Sequence, residues 1–320
     1  MTCYTKLMID LSIIIISFNT SAITKRCLES IALSLKDASF TYEVIVLDND
    51  SKDDSVKMLH EFKKQHSSLS MKVIESKENL GFSKGNNAAV KQATGKHLLF
   101  LNSDTEILKQ VQDDGQLPQN DGVDSISSLY SFFTSDLNTF AFVGPKLIEK
   151  DGKTPQASAG HFYTQPVVFA ALFLRGDYYG LTRFSPRFTK KVDWVSGACF
   201  MCKKSDFDKL GGFDEAIFMY MEEIDLLYRA KKHDLLTGFY PNSRIIHLGS
   251  ASSNGRSEPI IQVFKGFLYF YKKHNSRLQL QVLRIMLQFK AVICIVLGMA
   301  TNNDYLKKTY AQAIGIVKNN

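Results

Sequence analysis

The first hundred residues alternate strand-like and helix-like patterns in the order β-α-β-α-β-α-β, and few architectures accommodate that order. Leu11–Phe18 is a β-branched run that reads as a buried strand. Leu28, Ile31, Ala32 and Leu35 follow at helical spacing. Tyr42–Leu47 repeats the strand pattern, and Val56, Leu59 and Phe62 repeat the helical one. Asp53 and Asp54 precede that second helix and Lys63 and Lys64 close it, the charge order a helix dipole favours. Met71–Glu75 predicts a short third strand. Asn79 to Gly85 leads into a third helix through Asn87 to Gln92, and Leu98–Leu101 predicts a fourth strand buried on both faces. Such alternation implies a parallel sheet with right-handed crossovers.

Three of these strands end in Asn or Asp, at Asn19, Asp48 and Asp104. In open α/β sheets, ligands bind just beyond the carboxyl ends of the strands. The polar groups therefore gather along one edge, an arrangement that suits a nucleotide. The fourth strand stops abruptly at Asn102-Ser103-Asp104. A carboxylate and an amide oxygen two residues apart can both reach one hard cation, which bridges to phosphate oxygens. Read alone, the commoner meaning of Ser103 or Asp104 is a cap on a helix starting near Thr105. Gly81 and Gly85 fit neither GxxxxGK(S/T) nor GxGxxG, and Gly95-Lys96 is no Walker motif. These glycines serve turn geometry and close backbone approach.

A chain of 320 residues has room for one large domain or two small ones. With 45% hydrophobic and 22% charged residues and 7 prolines, long disordered stretches are not expected. The cysteines (Cys3, Cys27, Cys199, Cys202 and Cys294) are odd in number and scattered, which points to a reducing cytoplasm rather than a disulfide framework. The lone Cys199-x-x-Cys202 pair cannot complete a four-ligand zinc site and reads as two core thiols. Asp10 interrupts the apolar Leu7–Phe18 stretch and no cleavage site follows, so no secretory signal is visible. No stretch reaches the ~20 uninterrupted apolar residues of a spanning helix.

Beyond the alternating region, residues 110–125 are polar and acidic and read as a surface loop. Phe140–Val143 predicts a strand before Gly144-Pro145, while the aromatic-rich stretch from Gly152 to Arg187 has no legible order. Val192–Met201 holds the single tryptophan, Trp194, and Gly211–Asp214 is a turn. A helix begins in Tyr220–Arg229, with Glu222, Asp225 and Arg229 on one face and Glu223 beside them. By themselves these carboxylates read as dipole partners, and Asp225 with Arg229 as an i,i+4 ion pair. Arg244–His247 predicts a short strand, and its terminal histidine either packs or reaches a metal or phosphate.

Taken together these stretches resemble family 2 glycosyltransferases of the GT-A fold, in particular the rhamnosyltransferase-like branch. The matching segments are Ser12–Asn19, Val46–Ser51, Glu78–Phe82 with Asn86 and Asn87, Leu101–Thr105, Val143–Leu147, Asp193–Ala198, Gly211–Asp214, Glu222–Leu226 and His247. The resemblance implies a Rossmann-like, mostly parallel sheet flanked by helices over residues 1–258. It also implies a nucleoside-diphosphate sugar donor, dTDP-rhamnose or a UDP-sugar. Asn19, Asp48 and Asn49 would lie near base and ribose, with Gly81, Phe82, Asn86, Asn102 and Ser103 completing the nucleotide-sugar site. Asp104, in the place of the family's DxD motif, and His247 would hold a divalent cation, manganese or magnesium. Asn102 replaces the first Asp of that motif. Trp194, Gly197 and Ala198 would wall the donor sugar and acceptor. The family's Glu-Asp pair places the catalytic base at Glu223, a glutamate here, with Glu222 and Asp225 as alternatives. The implied chemistry is an inverting displacement onto a hydroxyl of a glycan or lipid-linked saccharide in surface polysaccharide synthesis. A nucleotidyltransferase of the same fold, or a catalytically silent docking partner in polysaccharide assembly, are the competing readings.

Residues 259–320 hold nine Lys or Arg against one acid, Asp304, so this segment carries +8 and residues 1–258 carry −1 of the total +7. In its middle, Arg277, Gln281, Arg284 and Gln288 form a narrow polar stripe, with Leu280, Val282, Leu283, Ile285, Met286 and Leu287 on the wide opposite face. The segment reads as a basic amphipathic helical tail. It suits an anionic membrane surface, peripheral on the cytoplasmic side. Packing on the protein or in a homodimer gives the same periodicity. No nucleic-acid reader motif accompanies the charge.

Overall fold

The computed structural model describes residues 8–108, 124–249 and 258–319. Cys3, Leu7 and nearly all of the expected 110–125 loop lie outside the described residues. In chain order the elements are β1 (Leu11–Ser17), α1 (Ser21–Ser34), β2 (Tyr42–Asp48), α2 (Ser55–Gln65), β3 (Met71–Glu75), α3 (Gly81–Val90), β4 (His97–Leu101) and β5 (Thr105–Ile107). There follow α4 (Ser125–Thr134), β6 (Phe142–Ile148), β7 (Ala159–Gly160), α5 (Gln165–Phe173), β8 (Arg183–Phe184), β9 (Lys190–Val192), β10 (Trp194–Val195) and β11 (Cys199–Lys203). The chain ends with α6 (Lys204–Lys209), α7 (Glu222–Lys232), β12 (Thr237–His247), α8 (Glu258–His274), α9 (Arg277–Ala300) and α10 (Asp304–Asn319).

The large sheet has the order β3-β2-β1-β4-β11-β6-β12-β5, with β9 on β12, and a small sheet has the order β10-β7-β8. β1 to β4 are parallel, as the alternation requires. β11 then enters antiparallel between β4 and β6, and β6 pairs parallel with β12. Side chains alternate between two core layers. Ile14, Ile45, Leu98 and Phe100 face α3 and α7 to α10, while Ile13, Val44, Val46 and Leu99 face α1, α2 and α4.

Several local expectations change. Thr105 starts a strand rather than a helix, because β5 pairs with the end of β12. β6 runs through Gly144 and Pro145, and β12 spans eleven residues, not four. Cys199 and Cys202 sit three residues apart on one strand and so belong to opposite core layers. They cannot meet at one metal or in one disulfide, and both are buried free thiols.

α9 departs most from expectation. It is long and apolar enough to cross a membrane, with mean hydropathy 2.0 over its best 18-residue window. Its interruptions, Arg284 and Lys290, are too few to lower that mean. Leu283, Leu287, Ala291 and Cys294 are buried against the protein.

Asp225 ties α7 to α8. It is fully buried and accepts from Arg229 Nε at 2.7 Å, Lys273 Nζ at 2.8 Å and His274 Nε2 at 2.7 Å. Burial alone would raise this carboxyl; hydrogen bonds from His274 and Lys273 and the charge of Arg229 override it and hold it well below the usual carboxylate range. The stabilisation is thus present at neutral pH and fades as pH falls below about 4 toward the folded-state value. Asp225→Ala is expected to cost about 3–5 kcal/mol at pH 7 by urea denaturation, with a smaller difference in acid.

Candidate active site

Strand pairing assembles the site. Leu101 pairs with Cys199, and Asn102 N–H donates to Ala198 O at 2.9 Å, so Asn102–Asp104 lie beside Gly197 and Ala198. Thr105 pairs with His247, and Leu248 N–H donates to Asp104 O at 2.9 Å, which brings the histidine to the aspartate. A cleft of ≈ 380 Å³ opens beyond these strand ends. That volume lies in the range of small-molecule sites.

Of the residues anticipated from sequence, Asn49, Gly81, Phe82, Asn102, Ser103, Asp104, Trp194, Gly197, Ala198, Glu222, Glu223 and His247 line this cleft. Asn19, Asp48, Asn86 and Asp225 do not. Asn19 has φ 52° and accepts from Lys52 N–H at 2.7 Å, so it joins two loops. Asp48 is buried and caps a turn through Ser51 N–H. Asn86 is buried on α3, donating to Phe82 O. Asp225 is withdrawn into the ion-pair hub described above, which removes it as a candidate base.

Asn49 has a second task. Its amide donates to Asn79 Oδ1 and Gly81 O, and its Oδ1 accepts from Leu80 N–H, which fixes the loop entering α3. Gly81 there has φ 74°, and a Cβ would sit 2.5 Å from Phe218 O, so only glycine fits.

His247 and Asp104 form a directed pair. Gln156 Nε2 donates to His247 O at 2.7 Å, which fixes the amide so that its Oε1 faces His247 Nδ1 at 2.9 Å. That oxygen only accepts, so Nδ1 carries the proton in the neutral ring. The Nε2 lone pair then points toward Asp104 Oδ1, 3.4 Å away. Two acceptors so placed call for a cation between or beside them, and an orienting partner on the far ring nitrogen is usual for ligating histidines. Among the described residues no cluster of three His, Cys, Asp or Glu is poised for a metal. The pair therefore fits an ion that takes its remaining ligands from substrate phosphates and water.

Across the cleft, Tyr220 and Met221 both adopt left-handed backbone, φ 65° and 75°, immediately before α7. Such strain persists only where its surroundings enforce it. The turn presents Glu222 and Glu223 at the N-terminus of α7, where the helix dipole favours negative charge. One oxygen of each carboxyl, Oε2, is buried without a hydrogen-bond partner. Burial raises both carboxyls above the usual range. Repulsion from Glu223 raises Glu222 further, whereas Arg183 and the Gly197 backbone draw Glu223 back down.

The sequence reading missed Asn79, Tyr163, Arg183 and Tyr220 in the cleft wall, and Gln156 behind His247. It also missed Val263 and Phe267, which α8 contributes.

The profile of glycosyl transferase family 2 matches residues 12–113. The low-salt glycan biosynthesis hexosyltransferase Agl10 of Haloferax volcanii is 26% identical over 275 residues, 83% of this chain and 76% of that one. Residues 12–113 thus carry the likeness to glycosyl transferase family 2, and the likeness to a hexosyltransferase extends over most of the chain. It is also similar to the N-acetylglucosaminyl-diphospho-decaprenol L-rhamnosyltransferase of Mycobacterium tuberculosis, 42% identical over 67 residues, 21% of this chain and 22% of that enzyme. The fold is of the GT-A type. The mannosyltransferase PcManGT of Pyrobaculum calidifontis, solved with GDP-Man and Mn2+, superposes with a TM-score of 0.55 at 12% identity. That match covers 96% of this chain and 74% of the mannosyltransferase and shows likeness of fold.

Proposed function

We propose that this glycosyltransferase inverts configuration while moving a sugar, rhamnose by preference, from a nucleoside diphosphate to a hydroxyl of a glycan or lipid-linked acceptor. The product would serve surface polysaccharide synthesis at the cytoplasmic face of the membrane. The observation that carries the reading is one cleft with a cation-directed pair, Asp104 and His247, on one wall and a buried, under-bonded carboxyl pair, Glu222 and Glu223, on the other.

Glu223 takes the proton of the acceptor hydroxyl. The freed oxygen bonds to the anomeric carbon as the bond to the diphosphate breaks on the opposite face. Asp104 and His247 would hold a divalent cation, manganese or magnesium, which neutralises charge on the leaving diphosphate. Asn49, Asn79 and Thr20 line the same cleft and would meet base and ribose. Tyr163, Trp194, Val263 and Phe267 offer an apolar wall that suits the methyl group of a 6-deoxyhexose. Names of the relatives support a hexosyl or rhamnosyl donor and, in one case, a lipid-diphosphate acceptor.

Incubation with dTDP-rhamnose and a set of UDP-sugars, with manganese or magnesium, is expected to release one nucleoside diphosphate, and chelation to stop the release. Failure to bind any nucleotide sugar by titration would sink the proposal. Pyrophosphate release from a nucleoside triphosphate and a sugar phosphate would establish the nucleotidyltransferase reading instead.

A further inference from the structure

The outward face of α9 is apolar. Leu278, Ile285, Phe289, Val292, Val296 and Met299 are each between 48% and 74% exposed. The polar stripe anticipated from sequence lies at the border between this face and the buried one. By helical geometry Arg277 and Arg284 flank the exposed face on one side and Lys290 on the other. The surface does not end with α9. Phe289 lies 5.7 Å, ring to ring, from Phe173 of α5, which in turn neighbours the exposed Phe169. Directly after α5 come exposed Leu174, Tyr178 and Tyr179, with the Arg175 guanidinium over Tyr178. A few residues on, Arg183 lines the cleft.

We infer that α9, α5 and the 174–181 loop form one docking face for a bilayer bearing anionic headgroups, with α9 lying in the membrane plane. Exposed apolar patches of this extent mark interaction surfaces. Crossing the membrane would strip Leu283, Leu287 and Ala291 from their packing, so the helix lies flat instead. Charge selects the occupant. The cations bordering the face are Arg175, Arg277, Arg284 and Lys290; α9 itself holds no acid, and Asp177 on the loop faces Arg183. A second copy seated here would oppose one cationic rim to another, whereas anionic headgroups meet the rim with opposite charge. Tyr178 and Tyr179 sit where amphipathic rings favour the headgroup level. The cleft rim at Arg183 then faces the bilayer, so an acceptor on a lipid anchor reaches Glu223 without leaving the membrane. The docking face goes beyond the proposed reaction and holds whichever sugar is moved.

The full chain is tested by co-sedimentation with vesicles of phosphatidylcholine alone and of phosphatidylcholine mixed with phosphatidylglycerol. Binding is expected to the mixed vesicles and to weaken with salt. The double variant Ile285→Asp, Phe289→Asp is expected to bind at least about a hundredfold more weakly. Leu137→Asp, an exposed leucine beside the opposite core layer, is expected to bind as the wild type does. Absence of binding to the mixed vesicles would overturn the inference, as would equal, salt-insensitive binding to phosphatidylcholine. A wild-type dimer by analytical ultracentrifugation that the double variant dissociates, without vesicle binding, would overturn it in favour of a protein interface. Donor hydrolysis by the double variant is expected to stay within about twofold of wild type, which shows that the variant is folded and separates failure of docking from failure of the transferase reading.

Discussion

Glu223→Gln is expected to lower sugar transfer by about a hundred- to ten-thousandfold while leaving donor binding within about twofold, measured by steady-state kinetics and nucleotide titration. The amide keeps the shape and the contact with Gly197 but cannot accept a proton. The two glutamates differ in environment: Glu222 is raised by burial and by its neighbour's charge, whereas Arg183 and the Gly197 backbone favour ionisation of Glu223. Two interacting carboxyls in one site resist ionising together. The form with Glu223 ionised and Glu222 protonated is therefore the working one. A base with a raised pKa is lost as pH falls through that value, so kcat is expected to rise with pH along an acid limb above the ordinary glutamate range. Glu222→Gln keeps the neutral state that Glu222 has in this form and should leave that limb in place with activity retained. If Glu222→Gln is the inactive variant and Glu223→Gln the active one, the roles are reversed.

Asp104→Ala is expected to abolish metal-dependent nucleotide release, a loss of at least about a thousandfold, because stabilising the leaving diphosphate is worth several kcal/mol. The substitution leaves His247 alone on that wall, and one imidazole does not retain a hard cation against water. Calorimetry of a nucleoside diphosphate with and without manganese checks this independently of turnover. Wild type should bind more tightly with the metal, and Asp104→Ala should be indifferent to it. A variant that keeps the manganese effect would remove Asp104 from the metal site.

Both predictions concern residues already visible as sequence motifs, and the reason is physical. Asn102–Asp104 and Glu222-Glu223 sit where a buried apolar run or a helix begins or ends, and periodicity marks those points. The parallel half of the sheet was legible for the same reason, since β1, β2 and β4 each hold four consecutive apolar residues, Ile13–Ile16, Val44–Leu47 and Leu98–Leu101. Arg183, Tyr163 and Gln156 lie in the stretch between Gly152 and Arg187, where two-residue strands and loops leave no period to read. Asp225 had the right chemistry in the right motif, yet partners 48 and 49 residues away, Lys273 and His274, claim it. Asn19 and Asp48 stand at strand ends as anticipated, but each gives one side-chain oxygen, Oδ1, to loop backbone. The outward apolar face of α9 was misplaced because a helix packed on one side and bare on the other has two apolar stripes. A sequence wheel shows their sum.

The grip of α8 on the catalytic helix has a further consequence. Gly266 of α8 leaves no room for a side chain against Met221, the residue that turns the backbone into Glu222, while Lys273 and His274 hold Asp225 one turn later. Val263 and Phe267 complete the cleft wall from the same helix. An attempt to make the enzyme easier to handle by trimming it before α8 would therefore take away part of its substrate wall and the clamp on its base. The helix that serves the chemistry, α8, leads within three residues into α9, the helix of the docking face, so cutting the chain before α8 removes both at once.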